Sequence, residues 1–156
     1  MAPKRKRSDD AAPSTEPQAW LLKSEPDDYS IDALLNEGST QWDGVRNPTA
    51  RKNLREMKVG DSCLFYHSSC GKNTGVVGTC LVKRAAYPDP ADEKWAVVDV
   101  TNACKFKRPV LLPALKAEAD GRLQGLALFN QPRLSVQPVS MAHYTEILDM
   151  AESQKS

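Results

Sequence analysis

The chain lacks any long apolar run and carries almost no excess of charge. No apolar stretch approaches the roughly 18–20 residues that a membrane-spanning helix needs, so we expect no membrane contact. The charged first residues have no apolar segment behind them, which argues against a secretory signal. A net charge of +1 argues against a strongly basic protein that coats nucleic acid without specificity. The 156 residues fit one domain with one core, and we expect a monomer.

Cysteine and histidine are scarce, and their spacing matches no common metal site. The four cysteines include no Cys-x-x-Cys pair, which is typical of reduced thiols in an intracellular protein. Cys63, His67 and Cys70 do not follow a common zinc spacing, and only His143 remains as a second imidazole. Motifs such as Gly-x-Ser-x-Gly, His-Glu-x-x-His and the phosphate loop are also missing. We therefore expect no metal and no cofactor, and the case for an enzyme is weak.

Residues 1–17 form a tail that is rich in proline, serine, alanine and charge. Such a segment buries too little apolar surface to offset its ordering entropy, so we expect it to be disordered. Four consecutive cations within it suit the acidic pockets of a nuclear import receptor. The alternatives are a solubilising tail or an extra arm that contacts phosphates. The tail thus predicts a nuclear protein with a localisation signal at Lys4, Arg5, Lys6 and Arg7.

Apolar patterning over the rest of the chain predicts several short strands with helices between and after them. Residues 19–23 read as a buried strand, and further strands are predicted at 62–67, 75–84, 95–105 and 133–137. An edge strand at 110–112 is also expected. Predicted helices occupy residues 31–35, 48–58, 112–119 and 141–152, and Ser30 and Asn47 are the predicted N-caps of the first two. Because strands and helices do not alternate as in parallel sheets, the pattern indicates an α+β fold, with a small, mostly antiparallel barrel flanked by helices.

The stretch Trp42-Asp43-Gly44-Val45-Arg46-Asn47 combines the groups that a base-binding pocket needs. An aromatic face stacks on a base, a carboxylate and an amide contact the ring edge, and a guanidinium contacts phosphate. A surface loop over a core tryptophan is the alternative interpretation.

The helix that follows has two distinct faces. Ala50, Leu54 and Met57 form an apolar stripe that predicts core contact. Basic residues form a second stripe, which is either a solvated face or a phosphate-contacting surface. The predicted phosphate contacts are Arg51, Arg55 and Lys58.

Several motifs in sequence order carry a resemblance to the EVE domain. They are Trp20-Leu21-Leu22-Lys23-Ser24-Glu25-Pro26, the Trp42–Asn47 stretch, Phe65-Tyr66-His67-Ser68, Ala86-Tyr87-Pro88-Asp89-Pro90, Trp95 with Val98-Asp99-Val100, and Arg133-Leu134-Ser135-Val136-Gln137-Pro138. The resemblance covers residues 18–150 and leaves residues 151–156 as a C-terminal tail. EVE domains have a PUA-like barrel and are related to YTH domains, which read a methylated base in RNA.

The resemblance implies a non-enzymatic reader of a modified nucleobase, with 5-modified cytosine in DNA as the ligand class. The turn after the first strand and Trp42 fall where YTH relatives place base-edge contacts and the first cage aromatic, and Arg133 falls near their backbone-contacting basic residue. Tyr66, His67 and Tyr87 are further wall candidates. The resulting pocket comprises Lys23, Ser24, Glu25, Trp42, Asp43, Val45, Arg46, Asn47, Tyr66, His67, Tyr87, Arg133 and Ser135.

The chain departs from the family pattern at two places. Pro48-Thr49 stands where the family continues with an aromatic residue and glutamine, which removes one candidate wall. Only residues 91–94 lie between the Tyr-Pro-Asp-Pro motif and Trp95, where the family has a longer connection. If that connection closes over the ligand, the pocket here is more open.

Two other classes of function compete with a reader. A nuclease or nucleic-acid-directed hydrolase would need a base and a nucleophile, and the available candidates are His67 with Asp43, Glu25 or Lys23. A PUA-like RNA-binding module or a protein-interaction module is the other alternative. A protein-interaction module would bind without the salt sensitivity that phosphate contacts cause.

Overall fold

The computed structural model describes residues 19–153 and shows a six-stranded sheet with helices packed against it. The basic cluster predicted at residues 4–7 lies outside the described residues. In chain order the elements are β1 Ala19–Ser24, α1 Ile31–Glu37, β2 Ser39–Trp42, α2 Pro48–Glu56, β3 Ser62–His67, β4 Gly75–Asp89, β5 Asp92–Leu111, α3 Leu112–Ala117, α4 Ala127–Asn130, β6 Val136–Val139 and α5 Met141–Ser153.

The strand order is β2-β5-β4-β3-β1-β6, so β2 and β6 are the edges of an open sheet. The α+β class is confirmed, and all strand pairs except the parallel pair of β1 and β3 are antiparallel. The predicted barrel differs from the observed sheet because closure would require the two edge strands to pair. Each edge strand has only four residues, and they lie at opposite ends of the sheet.

The apolar run of β1 is buried on both sides of the sheet. Trp20 and Leu22 pack in one core cluster with residues of α1 and α2. Leu21 packs in a second cluster that includes Leu64 and Ile147 of α5. A strand covered on both faces has no reason to alternate apolar and polar residues. This arrangement explains why the run is continuous and why it ends where β1 reaches Ser24 at the edge of the core.

The predicted caps of α1 and α2 are confirmed. The Ser30 hydroxyl accepts a hydrogen bond from the Ala33 N–H at 3.1 Å, and the Asn47 side-chain oxygen accepts one from the Ala50 N–H at 3.0 Å. These bonds satisfy amide groups that have no partner within the helix. The caps therefore fix the residues at which α1 and α2 begin.

Several boundaries differ from the sequence-based prediction. β2 was not predicted because three of its four residues are polar, and α4 was missed because it has a single turn. Val110 continues β5 and pairs with β4, so residues 110–112 are not a separate edge strand. β6 begins at Val136, which leaves Arg133 in the preceding loop. Between residues 19 and 153, no helix is long and apolar enough to cross a bilayer.

Candidate functional site

A polar cleft of about 1130 Å³ lies where the end of β1 meets β2 and the loop before β6. This volume is ample for a ligand of nucleotide size. Its walls come from segments that are far apart in sequence, since residues 23–29, 39–45, 68–69, 99 and 132–135 all contribute. Eight of the predicted pocket residues line the cleft: Lys23, Ser24, Glu25, Trp42, Asp43, Val45, Arg133 and Ser135.

Ten further residues line the cleft and were not predicted: Asp28, Tyr29, Ser39, Thr40, Gln41, Gly44, Ser68, Ser69, Asp99 and Pro132. Asp99 carried a signal in the sequence, because it is a carboxylate between Val98 and Val100 in an apolar strand. The β2 residues carried none, since polar residues without a recognisable strand pattern read as a loop.

The first wall of the cleft is the turn that follows β1, which side-chain and main-chain hydrogen bonds hold in place. The Ser24 hydroxyl donates to the Tyr29 carbonyl at 2.7 Å, and the Ser68 N–H donates to the Ser24 carbonyl at 3.0 Å. The Lys23 amine donates to the Pro132 carbonyl and lies 5.5 Å from the centre of the Tyr66 ring. Burial lowers the pKa of Lys23. The wall is therefore tied across β1, β3 and the loop before β6.

Trp42 lines the cleft but exposes only 7% of its surface. Its ring contacts Phe65 edge to face at 5.4 Å between centroids and Tyr29 in the same manner at 6.3 Å. Edge-to-face contacts of this kind stabilise a core beyond the area they bury. Trp42 is therefore a structural part of the cleft wall, and Tyr29 is the more accessible aromatic ring beside it.

Asp99, Tyr87 and Gln41 form a hydrogen-bonded row along another wall. The Tyr87 hydroxyl donates to Asp99 Oδ1 at 2.5 Å and accepts a bond from the Gln41 amide at 3.0 Å. The Arg84 guanidinium lies 3.7 Å from the centre of the Tyr87 ring. Burial and the bond to Asp99 raise the pKa of Tyr87, so its hydroxyl keeps the proton that it donates. Among the described residues, none donates to Asp99 Oδ2.

Five predicted pocket residues do not line the cleft, and three of them have roles elsewhere in the fold. Tyr66 is only 3% exposed and packs in the core cluster that includes α5. His67 Nε2 accepts a bond from the Ile31 N–H at 3.2 Å, and burial lowers the pKa of this histidine. Asn47 caps α2. These contacts place Tyr66, His67 and Asn47 in supporting positions, whereas Tyr87 acts on the cleft through Asp99.

The remaining predicted residue, Arg46, belongs to a separate cluster of cations around Trp95. Its guanidinium carbon lies 4.4 Å from the centre of the Trp95 ring, that of Arg51 lies at 4.9 Å, and the Lys94 amine at 5.4 Å. Arg51 also donates to the Lys94 carbonyl at 3.3 Å. We call these four residues the Trp95 cluster.

The predicted basic stripe of α2 is not one helical face. The helix ends at Glu56, so Lys58 lies beyond it, in the turn before β3. Arg51 turns toward Trp95, while Arg55 is exposed in the last helical turn. The apolar stripe is confirmed, because Ala50, Leu54 and Met57 are all buried.

The cleft and the Trp95 cluster have opposite charge. The cleft is lined by the carboxylates of Glu25, Asp28, Asp43 and Asp99 and by two cations, Lys23 and Arg133. The residues between positions 19 and 153 hold no group of three or more histidine, cysteine or acidic side chains that could bind a metal ion. A carboxylate-rich cleft of this kind favours a ligand that presents hydrogen-bond donors, such as an exocyclic amine.

Comparison with known proteins gives a consistent result. The family model described as the EVE domain matches residues 18–150. The chain is 35% identical to mouse thymocyte nuclear protein 1 over 170 aligned positions, covering 88% of this chain and 75% of the relative. The human protein of the same name is 34% identical over the same shares.

Solved structures show the same similarity. A hypothetical protein from Leishmania major has a TM-score of 0.83 and 41% identity, covering 92% of this chain and 99% of the other. The human THYN1 protein, in a crystal structure in complex with 5-methylcytosine containing DNA, has a TM-score of 0.82 and 32% identity. That similarity covers 88% of this chain and 99% of the human one.

Proposed function

We propose that this chain, which belongs to the EVE domain family, is a non-enzymatic reader that binds a modified base of DNA, a 5-modified cytosine, in the carboxylate-rich cleft. Two findings support the proposal. A relative of 32% identity has been solved with 5-methylcytosine containing DNA. The observation from the chain itself is that a cleft of nucleotide size carries four carboxylates and only two cations.

The carboxylates suit the Watson–Crick edge of cytosine. The 4-amino group of cytosine donates hydrogen bonds, and a carboxylate is the natural acceptor. We propose that Asp99 is this acceptor. Its Oδ1 is occupied by the Tyr87 hydroxyl, which leaves Oδ2 for the ligand and holds the carboxylate in one orientation. Extruding a base from a duplex costs a few kcal/mol, so an ordered acceptor helps to offset that cost.

A comparison of 5-methylcytosine with thymine tests this assignment. Both bases carry the 5-methyl group, and they differ at position 4, where thymine has a carbonyl instead of an amine. Fluorescence polarisation with matched single-stranded and duplex oligonucleotides containing one cytosine, 5-methylcytosine, 5-hydroxymethylcytosine or thymine would measure the preference at two salt concentrations. We expect 5-methylcytosine to bind about 10-fold more tightly than thymine, since a bond to a charged acceptor contributes about 1.5 kcal/mol.

The variant Asp99→Asn sharpens the test. Because Tyr87 donates to one oxygen at this position, the asparagine amide would turn its NH₂ group toward the ligand. The acceptor then becomes a donor, and the preference should shift from 5-methylcytosine toward thymine. Asp120→Asn, at an exposed position outside the cleft, is the control for the lost charge. An unchanged preference in Asp99→Asn would remove Asp99 from the proposed site.

A hydrolase or nuclease is the second candidate, but the geometry favours it less. The predicted general base His67 does not line the cleft, and its Nε2 is occupied by the Ile31 N–H. Glu25, Asp43 and Lys23 remain as candidate groups. Incubating the protein with the same oligonucleotides should leave their masses unchanged. A cleaved or deglycosylated product would replace the reader proposal with an enzymatic one.

We further propose that the protein acts in the nucleus as a monomer. The cations at residues 4–7 suit an import receptor, and the curated relatives carry the name thymocyte nuclear protein 1. A fluorescent fusion in which Lys4, Arg5, Lys6 and Arg7 are all changed to alanine should lose nuclear accumulation. Equal accumulation of the fusion before and after this change would argue against the signal.

A further inference from the structure

We propose that the Trp95 cluster is a second binding site, outside the cleft, that holds a phosphodiester of the nucleic-acid backbone beside the base. This inference rests on the proposed function for the class of ligand. The site includes Lys94 and Trp95, which are not part of the basic stripe predicted for α2, and it leaves out Arg55 and Lys58.

The cluster gathers three positive charges around one indole. Arg46, Arg51 and Lys94 each lie within 5.4 Å of the Trp95 ring centre. Among residues 19–153, no carboxylate forms an ion pair with any of the three. Like charges held this close repel one another, and attraction to the indole face offsets that repulsion only in part. A bound anion would reduce the repulsion that remains among the three cations.

The indole acts here as a scaffold for cations. A ring surrounded by two guanidinium groups and an ammonium group has little face left for a stacked base. Trp95 therefore does not act as a stacking platform for bases. Arg51 is anchored by its bond to the Lys94 carbonyl, while its buried Nε has no partner among the described groups. Two exposed cations, Arg46 and Lys94, therefore flank an ordered guanidinium. Guanidinium groups bind phosphate oxygens with good geometry.

The position of the cluster connects it to the cleft. Asp43, Gly44 and Val45 line the cleft, and Arg46 is the next residue along the chain. Gly44 has φ of +76°, a left-handed conformation that glycine adopts without strain and that lets the loop turn between the two sites. A ligand that fills both sites must therefore place an uncharged part in the cleft and, directly beside it, an anionic part on the Trp95 cluster.

A nucleotide chain meets that requirement better than other phosphorylated ligands. The cleft has two more carboxylates than cations and repels a ligand that is anionic throughout. In nucleic acid, a base without charge is joined through its sugar to the phosphate. The pairing of an acidic cleft with a cationic neighbour thus favours an extruded base with its adjoining phosphodiester, in preference to a phosphopeptide.

The test compares two double variants that each lose two exposed positive charges. Arg46→Gln with Lys94→Gln removes charge from the cluster, and Lys107→Gln with Lys116→Gln removes it from exposed positions elsewhere. Affinity for duplexes with and without 5-methylcytosine is measured from low to high salt. Because each phosphate contact contributes about −0.9 to the slope of log affinity against log salt, the cluster variant should flatten the slope by up to about 1.8. The control variant should retain the slope.

Quenching of tryptophan fluorescence provides a readout that needs no oligonucleotide. Trp20 and Trp42 are only 1% and 7% exposed, so Trp95 is the most accessible of the three tryptophans. The cations attract an anion, so they should raise the ratio of quenching by iodide to quenching by neutral acrylamide. That ratio should fall in the cluster variant and stay at the wild-type value in the control variant.

The outcomes separate this inference from the proposed function. If the wild type binds all bases alike and the slope still flattens in the cluster variant, the phosphodiester site stands and the reader proposal fails. If the wild type discriminates among bases and the two variants have equal slopes, the reader proposal stands and the phosphodiester site is overturned. If iodide quenching depends on the cluster but the wild type binds no DNA, the site attracts anions and its assignment to a phosphodiester is wrong.

Discussion

Trp42 lines the cleft and Trp95 forms the centre of the neighbouring cation cluster, and the surroundings of the two side chains differ completely. Trp42 is 7% exposed and packs edge to face against Phe65 and Tyr29. Trp95 is half-buried and is surrounded by Arg46, Arg51 and Lys94. The same side chain therefore supports a core in one place and gathers charge in the other.

The two regions around these tryptophans show how one small domain can place surfaces of opposite charge side by side. The cleft next to Trp42 is rich in carboxylates, which accept hydrogen bonds from an amine. The Trp95 cluster carries positive charge, which attracts phosphate. Residues 42–47 connect the regions, so a short stretch of chain joins a carboxylate-rich wall to a cluster of cations.

The largest expected difference between the two tryptophans is in stability. Trp42→Ala should lower the free energy of unfolding by about 3–5 kcal/mol, because it removes a buried aromatic ring from the core. Trp95→Ala should cost about 1 kcal/mol, the typical effect of a substitution outside a fully buried core. Urea denaturation of the two variants measures both values. Equal losses would contradict the distinction between a core tryptophan and a surface scaffold.

Because Trp42→Ala should destabilise the fold, it is a poor test of base discrimination. A truncated Trp42 loses packing together with any contact to the ligand, so an effect on binding would be ambiguous. Trp42→Phe keeps an aromatic ring at the wall and is the better probe of discrimination between modified and unmodified bases.

An intermediate effect is expected at Asn47, which follows Arg46 and caps α2. Asn47→Ala should destabilise the protein by about 1 kcal/mol, because the cap of α2 is lost. Asn47→Asp keeps a capping oxygen and should preserve stability, since aspartate caps helices as well as asparagine does. Its added negative charge beside Arg46 should nevertheless weaken binding to duplex DNA at low salt. Thermal unfolding and fluorescence polarisation on the same samples separate the two effects.

If Asn47→Asp binds DNA as tightly as the wild type at low salt, the surface around Arg46 is not part of the interface. If Asn47→Asp is as unstable as Asn47→Ala, the side-chain cap does not account for the loss.

The smallest expected effect concerns pH and tests whether His67 is structural. Burial lowers its pKa, and its Nε2 accepts a hydrogen bond only when the ring is neutral. Below the unperturbed pKa of about 6.5, the unfolded chain binds a proton that the folded His67 does not. The free energy of unfolding should therefore fall as pH decreases through this range, and above it the histidine contributes no pH dependence.

Urea denaturation at pH 5.5 and 7.5 measures this change. His67→Gln should show a smaller difference between the two pH values than the wild type. His143→Gln, at the other of the two histidines, is the control. A wild-type difference that survives in His67→Gln would show that other groups cause the pH dependence.

Much of the fold was predictable because its signals are local. Ser30 and Asn47 were recognised as caps from the chemistry of one side chain and one turn of helix. The buried run of β1 and the apolar stripe of α2 were recognised from hydrophobic periodicity. The open sheet was not recognised, and a barrel was predicted in its place, because whether the two edge strands pair depends on contacts that no local pattern contains.

The candidate site was predictable only in part, for the same reason. Lys23, Ser24, Trp42 and Asp43 were identified from motifs within two short stretches, and they line the cleft. Asp99 comes from a distant strand and enters the cleft through the pairing of β2 with β5.

The sequence by itself determined which segments become helices and buried strands, and which stretch combines aromatic, acidic and basic groups. Those properties depend on neighbours within a few residues, where periodicity and capping act. The tertiary structure decided that Trp42 is buried, that Asp99 pairs with Gln41 in the cleft wall, and that Arg46 and Arg51 meet Lys94 on Trp95. Those relations depend on strand order and on the five-residue loop that turns at Gly44, so they arise only when distant parts of the chain pack together.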